Sequence, residues 1–153
     1  MFRRVRVGFS RFGFLVVVLQ ALPNVLWALF PPAQNVLSRN SSEIVVLEYG
    51  EHILGVSIVI MLLFLVSREQ VEAALPKGIP AVLSLAAIAL YWAGWACYYA
   101  GVQNDFIVYS LVVLPPLSFF CAGLAKRVAV ISVTSLIFLV FHCAVTLENF
   151  PLW

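Results

Sequence analysis

Five long apolar stretches follow one another along this chain, and they constrain its fold more than any other feature. They cover residues 12–30, 44–66, 79–100, 106–124 and 128–145. A helix needs about 20 apolar residues to cross the hydrocarbon core of a bilayer, and in lipid the backbone polar groups must be satisfied within the segment itself. We therefore predict an all-α integral membrane protein, a single domain over residues 1–153 built as a bundle of five transmembrane helices.

The composition agrees with a lipid environment. Hydrophobic residues make up 63% of the chain, charged residues only 10%, and the mean hydropathy is +1.05. A soluble domain has about a quarter of its residues charged, so this chain has too little polar surface to cover itself in water. The net charge of +2, with no basic run beyond the N-terminal residues, excludes nucleic acid as an expected partner. The expected surroundings are a lipid bilayer.

The positions of the basic residues predict the orientation. Cytoplasmic loops of membrane proteins are enriched in Lys and Arg. With five spans and a cytoplasmic N-terminus, eight of the nine basic residues fall on the cytoplasmic side: Arg3, Arg4, Arg6, Arg11, Arg68, Lys77, Lys126 and Arg127. Only Arg39 falls outside. We predict a cytoplasmic N-terminus, an external C-terminus and a multi-pass protein of a bacterial inner (plasma) membrane.

The arginine-rich start followed by an apolar stretch also resembles a signal peptide. That alternative is disfavoured because the stretch is long, contains Trp27 and is followed by no A-x-A cleavage site. The three cysteines form no C-x-x-C pair, so we expect them to be packing residues rather than a disulfide framework or a zinc site.

The third apolar stretch carries a small residue at every fourth position, in a stripe formed by Ala89, Ala93, Cys97 and Gly101. Small side chains let helix backbones approach closely in membranes. We therefore expect this stripe to pack against another helix, within the chain or in a homo-oligomer or a membrane-protein partner. The aromatic residues of the same stretch form an interfacial belt or, as an alternative, a stacking platform for a ligand.

Prolines interrupt two of the apolar stretches, at Pro23 and at Pro115-Pro116. Each proline frees the carbonyl one turn before it. In lipid that carbonyl needs a new donor, so the kinks are expected to face other helices. The loop that follows the first stretch begins with two prolines, and its segment 35–42 is expected to fold back over the mouth of the bundle.

Ionisable residues in the stretches gather at the predicted outer end. Glu48, Glu51 and His52 occupy the start of the second helix, at spacings that predict a common face. His52 and His142 are each about four residues inside the end of their helices, roughly 6 Å below the rim. Two histidines at one depth indicate a shared polar pocket open to the outside. The predicted ligand-binding residues are His52, His142, Glu48, Glu51, Asp105, Tyr109 and Asn24.

His52, His142 and Glu51 are also predicted as ligands of a divalent metal ion, since imidazole and carboxylate suit zinc, iron or manganese. Each residue but one has a structural alternative. Glu48 and Glu51 complement a helix N-terminus, Asp105 is a natural N-cap, and His52 lies one turn from Glu48. Only His142, deep in an apolar helix, has no such explanation.

Three functions compete on this basis. The first is a small membrane protein that binds or passes a small polar solute, a proton or a metal cation through a site facing the outside. The second is a non-catalytic accessory subunit of a larger membrane complex. The third is a membrane-embedded enzyme that acts on a lipid or envelope substrate. Because the chain lacks G-x-S-x-G, H-E-x-x-H and a phosphate-binding glycine loop, no catalytic residue is predicted.

Overall fold

Five long helices dominate the computed structural model, which describes residues 5–68 and 76–152. They are α1 (Arg11–Leu29), α2 (Val45–Phe64), α3 (Ile79–Tyr99), α4 (Asp105–Ala125) and α5 (Ala129–Asn149). All five are long and apolar enough to cross a membrane. The prediction of five apolar helices is therefore confirmed, although α2 ends two residues earlier and α5 ends four residues later than expected.

A short two-stranded ribbon, which the sequence did not predict, lies at one end of the bundle. Strand β1 (Val5–Val7) pairs antiparallel with β2 (Leu65–Ser67), so that Arg6 lies opposite Val66. The apolar stretch runs on through Val66, and hydropathy alone does not distinguish the end of a helix from a short buried strand. We call this end of the bundle the ribbon end. Arg3 and Arg4, which entered the orientation prediction, lie outside the described residues.

The ribbon end completes the backbone hydrogen bonding of α2. A helix leaves its last four carbonyls without an intrahelical donor. In α2 these belong to residues 61–64, and their donors are, in order, the amide of Leu65, the ammonium group of Lys126 and the amides of Ser10 and Gly8. The start of α1 and the α4–α5 turn are thereby joined to the end of α2.

The helices alternate in direction, and α4 lies at the centre of the bundle. It packs most extensively on α3 and α5 and also contacts α1 and α2, whereas α1 lies between α2 and α3. Two glycines permit the closest approaches. A Cβ at Gly13 would lie 1.8 Å from the carbonyl oxygen of Leu62, and one at Gly123 would lie 2.5 Å from Oγ of Ser132. Helix α1 therefore touches α2 closely at the ribbon end, and α4 touches α5 beside their connecting turn.

The proline kinks face neighbouring helices, as predicted. Pro23, Pro115 and Pro116 are all buried. The carbonyl of Leu19, one turn before Pro23, accepts a hydrogen bond of 2.9 Å from Nε1 of Trp92 on α3. A side chain of a neighbouring helix thus supplies the donor that the proline lacks.

Loop 1, which we define as residues 30–44, folds back over the opposite end of the bundle, as expected. Nε1 of Trp27 and the hydroxyl of Tyr98 both donate to Oδ1 of Asn35, each at 2.8 Å. The amide of Leu37 donates to the Tyr98 hydroxyl, and Nδ2 of Asn40 donates to Oγ1 of Thr146 on α5. Loop 1 is therefore fastened to α1, α3 and α5. We call this the loop 1 end.

The small-residue stripe on α3 faces outward. Ala89, Ala93 and Gly101 are exposed, and Cys97 is half-buried. The buried face of α3 lies elsewhere on the helix; it includes Ser84, Ile88, Tyr91, Trp95 and Tyr98. Within the described part of the chain, no helix therefore covers the stripe, and its packing against a second molecule stays a prediction.

Candidate functional site

A cavity of about 370 Å³ lies inside the bundle between its middle and loop 1. All five helices and loop 1 contribute to its wall. This volume falls in the range of about 300–1,000 Å³ that is typical of small-molecule sites. The apolar lining is interrupted by a few side chains that carry polar atoms: Gln20, Asn24, Trp27, Asn40, Glu51, Tyr91, Trp95 and His142.

His142 and Glu51 form a polar pair on one wall of the cavity. Nδ1 of His142 donates to Oε1 of Glu51 at 2.8 Å, and the two side chains are only 20% and 17% exposed. The imidazole also stacks on the ring of Phe138, with centroids 5.0 Å apart and planes 17° apart. Both the ring plane and one nitrogen of His142 are therefore fixed.

A glycine on α2 brings this pair within reach. A Cβ at Gly50 would lie 2.5 Å from the ring of Phe141 on α5, so a larger residue there would require this ring to move. Glu51 is the next residue on α2, and His142 is the next residue on α5. The close crossing thus positions the carboxylate and the imidazole to meet in the cavity.

Three buried polar atoms have no hydrogen-bond partner within the described part of the protein, and all three belong to residues that line this cavity. They are Nε2 of Gln20, Oδ1 of Asn40 and Nε1 of Trp95. A buried polar group without a partner costs about 1–3 kcal/mol. Buried groups of this kind are ordinarily satisfied by water or by a ligand. Because all three of these residues line one cavity, we take it as the candidate binding site.

Gln20 is the most deeply placed of these groups. It is the middle residue of α1 and its side chain is 3% exposed. Its Oε1 accepts from the Ser118 hydroxyl at 3.2 Å, which leaves the amide nitrogen as the free end. One turn along α1, Asn24 accepts from the hydroxyl of Tyr91 at 2.9 Å and donates to the carbonyl of Gln20.

Of the seven predicted ligand-binding residues, the structure brings His142, Glu51 and Asn24 into this cavity. His52 is not among the residues that line it. Its side chain is 68% exposed, and its Nδ1 donates to the carbonyl of Glu48 at 2.7 Å. Adjacent residues on a helix point about 100° apart, so that α2 turns Glu51 inward and His52 outward. The shared pocket of the two histidines is therefore not formed.

The predicted metal ligands do not converge either. Glu51 and His142 are paired, but His52 points away from them. Across residues 5–68 and 76–152, no group of three or more His, Cys, Asp or Glu side chains is arranged to hold a metal ion.

The remaining predicted residues are engaged in structural contacts or lie at a helix end. Glu48 accepts from the amide of Ser42 at 2.8 Å and so fixes the end of loop 1. The hydroxyl of Tyr109 donates to the carbonyl of Phe150 at 2.7 Å. Asp105 is exposed in the first turn of α4, and the N-cap expected of it is provided instead by Asn104.

The predicted ligand-binding residues did not include Gln20, Asn40 or Trp95, although Trp95 is one of the aromatic residues of the third stretch for which a ligand platform was the alternative interpretation. A usable signal existed for Gln20. It lies in the middle of an apolar span, four residues before Asn24, and polar residues inside membrane spans commonly mark functional sites. Asn40 gave no such signal, because amides are common in loops and only the folding of loop 1 brings this one to the cavity.

Comparison of the chain with protein-family models, with curated proteins and with solved structures finds no match. The functional argument therefore rests on the cavity itself.

Proposed function

We propose that this protein is a multi-pass membrane protein that binds a small uncharged or cationic solute in the cavity beneath loop 1. The observation that carries the proposal is that three residues with a buried, unpartnered polar atom line the same cavity. The distribution of basic residues supports a location of the loop 1 end outside the cell, and we propose a bacterial plasma membrane as the site of the protein. In that orientation the site faces the outside.

The charges around the cavity favour this class of solute. Glu51 brings one carboxylate and is paired with His142, and neither Lys nor Arg lines the described wall of the cavity. An anion in this place would meet the Glu51 carboxylate at low dielectric, with no Lys or Arg on the described wall to compensate it. Uncharged and cationic solutes avoid this repulsion.

Binding is favoured over passage because the ribbon end of the bundle is filled. Val16, Ile58, Leu62, Ala122 and Ile131 are fully buried there in one hydrophobic cluster. Phe119 and Phe138 belong to the same cluster and also line the cavity, so they form its floor. The space therefore ends near the middle of the bundle.

Thermal denaturation in lipid nanodiscs tests the proposal. We expect a neutral or cationic member of a mixed solute panel to raise the melting temperature, whereas anionic members have no effect. Gln20→Met keeps the length of the side chain but removes the free donor, so it should weaken binding by about tenfold. Gln34→Met is the matched control. Gln34 is exposed, and its backbone carbonyl, which the substitution keeps, accepts a hydrogen bond from the side chain of Gln103.

If no solute of any charge stabilises the wild-type protein, or if Gln20→Met binds as tightly as the wild type, the proposal fails.

The exposed stripe on α3 favours a second candidate function, that of a subunit in a homo-oligomer or a larger membrane complex. Ala89, Ala93 and Gly101 present a nearly flat surface that no described helix of this chain covers. Surfaces of this kind are enriched where membrane helices meet. The two functions are compatible, because the stripe and the cavity use different faces of α3.

A further inference from the structure

We infer that the cavity binds a neutral, lipid-soluble amphiphile with a hydroxyl or carbonyl head group, which enters sideways from the bilayer between α1 and α2. The inference rests on the proposed binding function and specifies its ligand class. It depends on two independent observations: where the wall of the cavity is open, and which polar atoms in the cavity lack a partner.

The wall is closed between α1 and α3. Side chains of α3 donate hydrogen bonds to α1 and to the residue that follows it, at three successive heights. These bonds run from Trp92 to the Leu19 carbonyl at 2.9 Å, from Tyr91 to Asn24 at 2.9 Å and from Tyr99 to the Phe30 carbonyl at 3.0 Å. The rings of Trp27 and Trp95 are also in contact, with centroids 6.1 Å apart. A ligand has no route between these helices.

The closest described approach of α1 and α2 lies at the ribbon end. Gly13 packs on the Leu62 carbonyl, and Val16 and Ile58 lie in the same buried cluster. Nearer loop 1, Ala21 and Asn24 line the cavity and are at the same time exposed at the surface. The cavity therefore reaches the outside of the bundle beside α1, on the loop 1 side of the contact between Gly13 and Leu62.

The surface around this opening is apolar. Exposed large hydrophobic residues flank it on both helices: Val18, Leu22 and Val25 on α1, and Ile53, Val56 and Ile60 on α2. In a bilayer such a surface lies against acyl chains. At the loop 1 end, by contrast, Leu37 and Asn40 of loop 1 cover the cavity. Lipid therefore has more direct access to the cavity than water has.

The unpartnered atoms define the head group. Among the residues that line the cavity, Gln20 and Trp95 each have an N–H donor without a partner, whereas Asn40 has an acceptor oxygen without one. A hydroxyl both accepts and donates, and a carbonyl accepts from two donors, but an ammonium group only donates. An ammonium head would leave both N–H groups unsatisfied, and an anionic head would meet the carboxylate of Glu51. A neutral head group that bears an oxygen can accept from these N–H donors and is not repelled by the Glu51 carboxylate.

Three probes that share one chain separate the head-group classes: oleyl alcohol, oleylamine and ionised oleic acid. Each is added at the same mole fraction to the protein in phosphatidylcholine nanodiscs, and the melting temperature is measured. We expect the alcohol to raise it by a few degrees and the amine and the acid to leave it unchanged, because a ligand that binds only the folded state stabilises it.

Matched variants locate the bound alcohol. A Cβ at Gly55 would lie 3.6 Å from Phe138, which is an ordinary contact, so Gly55→Leu should fold and fill the cavity. The stabilisation by oleyl alcohol should be lost in Gly55→Leu and should persist in Val56→Leu, which changes the neighbouring exposed position. If Gly55→Leu does not fold, Gln20→Met provides the same comparison and should weaken binding of the alcohol about tenfold.

Ala21→Trp tests the route of entry, because a bulky side chain at the exposed rim should slow binding of the alcohol. Equal rates of alcohol binding in this variant and in the wild type would overturn lateral entry.

Stabilisation by the acid or the amine equal to that by the alcohol would overturn the head-group assignment. A water-soluble neutral or cationic solute that binds when oleyl alcohol does not would overturn this inference and leave the proposed function standing. No binding by any probe or solute would overturn both.

Discussion

The indole of Trp92 has a specific structural role: it donates to the Leu19 carbonyl, which Pro23 leaves without a backbone donor. In lipid no water can replace that bond. We predict that Trp92→Phe, which keeps the aromatic ring but removes the N–H group, lowers the unfolding free energy by about 1–2 kcal/mol. Adding Pro23→Ala should restore most of the loss, because an alanine amide can donate to Leu19 itself.

The double-mutant comparison is made by denaturant unfolding in detergent micelles. If Pro23→Ala destabilises the Trp92→Phe protein further, the indole has a different role from the one described.

A second residue with a specific role is Lys126, in the turn between α4 and α5. It is 2% exposed, and its side chain donates to the carbonyl of Leu62 on α2. Burial lowers the pKa of Lys126 from 10.5 to about 8. Between these values the unfolded chain binds more protons at this site than the folded chain, so the contribution of Lys126 to the unfolding free energy should rise as the pH rises from 8 to 10.5. The rise is at most roughly 3 kcal/mol.

Unfolding titrations at a series of pH values measure this slope. Lys126→Met should remove it, whereas Lys77→Met, at an exposed position, should retain it. A slope that survives in Lys126→Met would have to come from another group.

At the scale of elements, the helices were predictable because their signal is local. In lipid, an apolar stretch of about 20 residues is expected to form a membrane-spanning helix. Each of the five predicted stretches forms a helix over nearly the predicted residues. The ribbon was not predictable, because β1 finds its partner some sixty residues later and three-residue strands have no periodicity of their own.

The site was predicted in part, because some of its residues also have a local sequence signal. Glu51, His142 and Asn24 are polar residues within apolar runs, and they do meet in the cavity. His52 has the same composition signal, but the one-residue step from Glu51 turns it outward, and only the packing of α2 on α5 decides which of the two faces inward. Asn40 depends on the path of loop 1, which no local pattern describes.

Loop 1 is the element whose position can be changed most directly. Oδ1 of Asn35 accepts both from Trp27 and from Tyr98, so Asn35→Ala removes two hydrogen bonds at once. We expect tryptic cleavage after the exposed Arg39 to become about tenfold faster, because cleavage requires the loop to open locally. Asn35→Asp keeps the acceptor oxygens and should retain slow cleavage. Equal rates for Asn35→Ala and the wild type would show that other contacts hold the loop.

For the whole molecule, the orientation follows from the charges. With eight of nine basic residues on one side, we predict a cytoplasmic N-terminus and an external C-terminus. Reporters that are active in only one compartment, fused to each end in turn, measure this. If both reporters are active on the same side, the five helices do not all cross the membrane. If the N-terminal reporter is active outside and the C-terminal reporter in the cytoplasm, the loop 1 end lies in the cytoplasm.

Association of several copies is also a property of the whole molecule. Ala93 is exposed in the centre of the stripe on α3, so Ala93→Leu has no described neighbour to clash with in one chain. We therefore expect its melting temperature as a monomer to be unchanged and its self-association, measured by analytical ultracentrifugation in detergent, to weaken. Ala28→Leu, at an exposed alanine of α1, is the matched control. Equal association of both variants and the wild type would exclude the stripe as the interface.

The way in which loop 1 is fastened has a consequence for how the protein responds to its surroundings. The side chains that hold Asn35, Val36, Leu37 and Asn40 in place are amides, hydroxyls and an indole, and none of them carries a charge near neutral pH. Salt screens charges but leaves neutral hydrogen bonds largely unaffected. The contacts at Asn35, Val36, Leu37 and Asn40 should therefore hold equally well in dilute and in saline media, and over the whole pH range in which amides and phenols keep their protons. The bond from the Ser42 amide to the Glu48 carboxylate, at the end of loop 1, is the one described contact of the loop that a change of pH or salt should weaken first.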